Sequence, residues 1–274
     1  MPCCMTIDFG AGEQDGSAAG ARLTCGERIA TLTLSRPPVN AIDDALVTQI
    51  HGILDALERC RAWTVLHVRS DQHVFCAGAD LRRLRAHMAA SDPGATMRVA
   101  VHAIQALFDR VAALPGVTLA EIGGAAMGGG LELALACDLR IAAREARLGL
   151  PETGLGLLPG AGGTQRLTAL CGRGTATRMI LAGETVTGAE ARDLGLVQWA
   201  VPGDRLAAEA RALVETVAER PVAALAAAKD CIAAAGEPAR DGFALEVEAS
   251  ARLAAEPETR ARVSAFLGDA PEGR

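Results

Sequence analysis

The chain has 274 residues, half of them hydrophobic, enough for one large domain or a domain with an appendage. A formal net charge of −6, Lys229 as the only lysine, and an aromatic set of five Phe, two Trp and no Tyr exclude a nucleic-acid surface, which needs basic faces and stacking rings. Eight cysteines without a CxxC pair, and five scattered histidines, exclude the usual metal-site spacings.

Residues 1–20 carry Gly10, Gly12, Gly16 and Gly20 among small and acidic residues and read as a flexible leader. They lack the basic region and apolar core of a signal peptide. No apolar run is long enough to span a bilayer. A soluble, cytoplasmic protein is expected, with most cysteines acting as small buried hydrophobes in a reducing compartment. Glu27 to Ser35 alternates like a strand, and Arg36-Pro37-Pro38 ends it. Asp43 and Asp44 can cap a helix to about Arg61, with Leu46, Ile50, Ile53, Leu54 and Leu57 on one face. Trp63 to Ser70 is a second strand. Phe75 to Leu81 is a small-residue turn. Arg82 to Met97, basic and broken by Ser91-Asp92-Pro93-Gly94, reads as a mobile surface segment. A helix from Met97 to Leu114 follows, then strands over Val117–Ile122 and Leu139–Ala142 with a helix over Leu131–Cys137 between them. From Thr164 onward the pattern is mostly helical. Strands alternating with helices imply an α/β core over residues 21–205, and residues 206–274 form a helical C-terminal region. No GxGxxG directly follows a strand and no P-loop spacing occurs, so nucleotide-binding folds fail on their own terms.

The stretch Ala125-Ala126-Met127-Gly128-Gly129-Gly130-Leu131-Glu132 sets three glycines before a helix start, with one carboxylate a turn inside. A helix opening at such a turn presents free N–H groups and a positive dipole end, which suits a developing oxyanion. A plain strand-to-helix turn with a solvent-facing glutamate accounts for this stretch, taken alone, equally well.

Phe75-Cys76-Ala77-Gly78-Ala79-Asp80-Leu81, Gly128-Gly129-Gly130-Leu131-Glu132-Leu133-Ala134, and Pro151-Glu152 through Gln165-Arg166-Leu167 together resemble the crotonase, or enoyl-CoA hydratase/isomerase, superfamily. The likeness runs from Ile29 to Leu267. It implies a spiral of ββα units with a C-terminal helical trimerisation region. It also implies acyl-CoA substrates, with a thioester enolate held by two backbone N–H groups. The matching positions are Ala79 and Gly129. The two glutamates of the family's hydratases match Glu132 and Glu152, twenty residues apart. By resemblance Glu132 holds and activates a water and Glu152 handles the proton at the α-carbon. Two carboxyls around one water can take up and deliver the protons that hydration moves. The substrate path matches Ala77, Gly78, Asp80, Leu81 and Gly128. Gly160 matches a glycine beside the catalytic water, and Pro38 and Val39 match a loop that touches coenzyme A. The basic residue often found in that loop is absent. So is the Lys/Arg-rich tail commonly following the last helix, where this chain has Gly268-Asp269-Ala270-Pro271-Glu272-Gly273-Arg274.

The reading implied is an enoyl-CoA hydratase that adds water syn to a trans-2-enoyl-CoA to give a 3-hydroxyacyl-CoA. It needs no metal or redox cofactor, coenzyme A being part of the substrate. It acts as a homotrimer or dimer of trimers, with no nucleic-acid or membrane partner. An enoyl-CoA isomerase with one proton-shuttling glutamate is the rival within the fold. A non-catalytic binding member of the fold is the rival outside enzymology.

Overall fold

The computed structural model describes residues 6–8, 20–60 and 62–268. In chain order the elements are β1 Thr6–Asp8, β2 Ala21–Cys25, β3 Ile29–Leu34, α1 Asp44–Arg59, β4 Val65–Ser70, α2 Leu81–Met88, α3 Pro93–Ala113, β5 Val117–Ile122, β6 Ala126–Met127, α4 Gly129–Ala136, β7 Leu139–Ala143 and β8 Arg147–Gly149. After a 3-10 turn at Glu152–Leu155 come α5 Gly163–Leu181, β9 Thr185–Thr187, α6 Gly188–Asp193, β10 Trp199–Val201, α7 Gly203–Ala218, α8 Val222–Ala234, α9 Gly242–Ala255 and α10 Pro257–Leu267. A large sheet has the order β1-β2-β3-β4-β5-β7-β10, and a small one β6-β8-β9. In the large sheet the first two junctions are antiparallel and the other four parallel.

β5 is buried along its whole length, as a central parallel strand covered on both faces must be. α1 lays Leu46, Ile50, Ile53, Leu54 and Leu57 into the core, and the Asp43 carboxylate caps it by accepting from the Leu46 N–H at 2.9 Å. After β3, β4, β5 and β7 the chain adds a second short extended segment before the next helix. These segments join one another: Ile42 bridges Ala79, Cys76 bridges Ala126, and β6 pairs with β8. The repeat of long strand, short strand and helix is the ββα spiral expected from the sequence.

Several elements differ from expectation. Within residues 1–20, β1 pairs with β2, and the rest of that stretch up to residue 19 lies outside the described residues. β2 also went unread, although its Ala-Arg-Leu-Thr alternation is a period-two signal, with Ala21 and Leu23 buried. Arg82 to Met97 is helical on both sides of a break at residues 89–92: Asp80 caps α2, and Asp92 with Pro93 starts α3. Of the described cysteines only Cys76 and Cys137 are buried. The chain beyond Gly268 lies outside the described residues. Among the described residues no helix is long and apolar enough to cross a membrane.

α7 covers a face of the large sheet with Leu206, Ala210 and Val214 buried, so the first helix of the C-terminal region is a layer of the core. α8 to α10 pack chiefly on one another. The Lys229 ammonium ties α8 to the core, donating to Leu114 O (2.8 Å), Gly116 O (3.3 Å) and Asp138 Oδ2 (2.8 Å). Asp138 Oδ2 also accepts from the N–H and Oγ1 of Thr118. Hydrogen bonds to charged groups contribute about 1.5–3 kcal/mol each. Lys229→Met is therefore expected to speed amide hydrogen exchange across residues 222–267 while leaving the large sheet protected. Unchanged exchange there would show the clamp to be incidental.

Candidate active site

Two loops set the backbone of the site. Val39–Ile42 runs beside Phe75–Asp80: Ala77 N–H donates to Val39 O (3.0 Å), Ile42 N–H to Gly78 O (2.8 Å) and Asp80 N–H to Ile42 O (2.9 Å). On the other side Phe75 and Cys76 N–H donate to Ala125 O, and Met127 N–H to Cys76 O. Ala79 N–H, between engaged neighbours, donates to no acceptor among the described residues. Neither does Gly129 N–H, which opens α4, where first-turn amides lack an intrahelical acceptor. The two turns are packed too tightly for side chains. A Cβ on Gly78 (φ +94°) would lie 2.7 Å from Met127 O and 3.3 Å from Gly129 N. Gly128, at φ +53° and ψ −126°, adopts a backbone reserved for glycine. The result is a pair of neighbouring, unengaged N–H groups, one at the positive end of a helix, an arrangement that can hold an anionic oxygen.

Glu132, one turn into α4, is only 3% exposed. Its Oε1 accepts from the N–H of Ala161 (2.8 Å) and of Gly163 (2.7 Å). Burial pushes its pKa up to about 7; the nearby Glu152 charge adds to the rise, while the Gly163 and Ala161 N–H groups and the Arg166 charge oppose it. Glu152 opens the 3-10 turn, and a Cβ on Gly128 would stand 2.8 Å from its Oε1. Its Oε2 is buried with no hydrogen-bond partner among the described residues. Burial raises its pKa as well, against its own backbone N–H. Burial thus disfavours ionisation of both carboxyls, and the Glu152 charge disfavours it further at Glu132.

The family model described as "Enoyl-CoA hydratase/isomerase" matches residues 24–268. The chain belongs to the enoyl-CoA hydratase/isomerase family. It is 37% identical over 243 residues to the 2,3-dehydroadipyl-CoA hydratase of Escherichia coli K12, covering 88% of this chain and 92% of that protein. It is 41% identical over 215 residues to human enoyl-CoA hydratase domain-containing protein 2, mitochondrial, covering 74% and 72%. An enoyl-CoA hydratase structure from Geobacillus kaustophilus HTA426 superposes with a TM-score of 0.87 at 30% identity, covering 98% of both chains. DspI of Pseudomonas aeruginosa gives 0.85 at 34%, covering 96% of this chain and all of that one.

The structure of this family member brings Ala79, Gly129, Glu132, Glu152, Gly78 and Gly128 together at one spot. Other residues carried over from the family motifs lie around it. Ala77, Leu81 and Pro38 are exposed, and Val39 holds the Ala77 amide. Gly160 packs toward Val101, and its carbonyl accepts from Gln105 Nε2 at 2.6 Å. Asp80 is committed to structure: Oδ1 accepts from Arg82 and Arg83 N–H, and Oδ2 from Arg36 Nη2. Burial works to raise its pKa, but those donors outweigh it and hold the carboxyl below the usual range. Sequence reading did not find the Ala161 and Gly163 amides that grip Glu132, although Pro159-Gly160-Ala161-Gly162-Gly163 marks the loop that offers them. It also missed Ile42, whose Cδ1 stands 3.1 Å from where a Cβ on Gly129 would be.

Proposed function

We propose that this chain is an enoyl-CoA hydratase, converting a trans-2-enoyl-CoA to a 3-hydroxyacyl-CoA by syn addition of water. The observation that carries this reading is that a buried carboxyl, Glu132, and a half-buried one, Glu152, stand beside one pair of unengaged backbone amides. The thioester carbonyl oxygen accepts from Ala79 and Gly129 N–H. Glu132, held on Oε1 by two amides, takes a proton from water with its other oxygen. The water oxygen bonds to the β-carbon, and the alkene electron pair moves through the thioester to its oxygen. Glu152 gives its proton to the α-carbon as the enolate collapses. Glu132 ends protonated and Glu152 ionised, and proton exchange with solvent restores the start. No step calls for a metal or redox cofactor; coenzyme A arrives as part of the substrate. A double-bond isomerase needs only one such carboxyl, so the second favours hydration. Loss of the conjugated enoyl-thioester absorbance on adding enzyme to crotonyl-CoA is the expected result. Binding of crotonyl-CoA without turnover would overturn this reading in favour of a non-catalytic member of the fold. A cytoplasmic location belongs to the same reading, and the free thiols of Cys60, Cys76, Cys137, Cys171 and Cys231 fit a reducing compartment.

The working form we infer is a homotrimer or a dimer of trimers. Phe243 is 83% and Phe266 90% exposed, with Ile232, Val247, Val263 and Leu267 also bare. A groove of about 320 Å³ among Pro221, Ala224, Leu253, Val263, Phe266 and Leu267 is almost wholly apolar. Apolar surface of this kind is normally covered by a partner. Light scattering at micromolar concentration is expected to give three or six times the monomer mass; a stable monomer would sink the proposal.

A further inference from the structure

Asn40 sits in the loop between β3 and α1 with no exposed surface, and its φ of +52° is the only positive value outside glycine among the described residues. Asparagine tolerates this backbone better than most residues, yet a buried amide must still find partners. All of its polar groups do. Oδ1 accepts from Arg36 N–H (2.8 Å), Nδ2 donates to Ser70 Oγ (2.7 Å) and to Phe75 O (2.9 Å), and its carbonyl accepts from Cys76 Sγ (3.0 Å). One side chain thus joins its own loop, the end of β4 and the start of the turn that carries Ala79. The far end of that turn is held from the same loop. Arg36 donates to Asp80 Oδ2 (3.1 Å), to Asp43 (2.7 Å) and to Ala41 O (3.0 Å), and Asp80 N–H donates to Ile42 O. Ala79 N–H lies between these two anchor points.

We propose that Asn40 is a positioning residue for the Ala79 N–H, fixing the direction in which that amide meets the substrate oxygen. The proposal rests on the reading of Ala79 as an oxyanion donor. The Asn40 side chain does not touch substrate; it sets the turn that does. An amide aimed at developing charge acts most strongly in the transition state, so misaiming it lowers kcat more than it raises KM. Small displacements of positioned groups can cost up to ~10²-fold.

The test uses the full-length protein and two variants. Asn40→Gly keeps the left-handed backbone and removes every side-chain bond. Ser70→Ala removes one partner of Nδ2 and serves if the first variant does not fold. For assembled Asn40→Gly the expected result is a kcat reduced ~10–100-fold with KM within a few-fold, and for Ser70→Ala a smaller loss of the same kind. A second readout is the near-ultraviolet band of an enolised β-ketoacyl-CoA bound to the enzyme. Wild type should stabilise the enolate and Asn40→Gly should weaken the band in proportion to kcat. A folded Asn40→Gly with wild-type kcat and an undiminished band overturns the proposal. If Asn40→Gly does not fold, unchanged kcat and band in Ser70→Ala overturn it instead. If wild type itself shows no enolate band, the oxyanion reading of Ala79 has failed, and the two failures are thereby told apart.

Discussion

Glu132→Gln is expected to cut crotonyl-CoA hydration by ~10²–10⁴-fold while raising the protein's stability at alkaline pH. The first effect follows from losing the group that deprotonates water. Gln keeps the Oε1 that accepts from Ala161 and Gly163 but cannot take a proton. The second effect follows from the raised pKa. With a native pKa of about 7 against an ordinary 4.5, the folded state keeps a proton that the unfolded chain has released across that window. Stability from this group is therefore full below pH 4.5, falls as pH rises to about 7, and stays reduced above it. At 1.36 kcal/mol per pKa unit the reduction is on the order of 3 kcal/mol. The variant lacks it, so its melting temperature should exceed that of wild type at pH 8 and show a flatter pH dependence. Identical pH dependence in the two proteins would mean that Glu132 is not held above its ordinary range. Glu152→Gln separates the roles. If Glu152 serves the α-carbon, its loss damages hydration and any double-bond isomerisation alike, whereas Glu132→Gln damages hydration more. Both assignments fail if each variant hydrates crotonyl-CoA within a few-fold of wild type, and the Glu152 role is wrong if Glu152→Gln spares isomerisation.

Gly129→Pro, compared with Gly129→Ala, isolates a single hydrogen-bond donor. Gly129 is the first residue of α4, the one helical position where proline suits the backbone and where the amide it deletes has no intrahelical partner. Either substitution places a Cβ 3.1 Å from Ile42 Cδ1, a contact the Ile42 side chain must yield to. The steric effect at that atom is thus common to the pair, and the proline ring and the N–H distinguish them. Removing one oxyanion donor costs ~10²–10³-fold in kcat. The expected order is wild type, then Ala with a modest loss, then Pro with the full loss. A folded Gly129→Pro with the kcat of Gly129→Ala would make this turn structural only.

The alternation of strands and helices and the C-terminal helices were legible because they rest on periodicities and caps that are local, whereas the ββα spiral was implied by the family motifs. The stripe from Leu46 to Leu57 and the strand over Val117–Ile122 follow from spacings along the chain. Glu132, Glu152, Ala79 and Gly129 were named through family motifs, and the structure gathers all four at one place. What the chain does not declare is how distant backbone atoms meet. The grip of the Ala161 and Gly163 amides on Glu132 depends on a loop about thirty residues downstream folding back onto α4. The value of about 7 for its pKa exists only in the packed chain, where burial and the nearby Glu152 charge outweigh the Gly163 and Ala161 amides. Asp80, matched by motif to the substrate path, proves to be a helix cap and ion-pair partner, because Arg36 reaches it from forty-four residues away. Asn40 carries no local signature at all. Its buried, fully bonded amide is defined by Arg36, Ser70 and Phe75 converging on it, and only the packed chain brings them within hydrogen-bond distance.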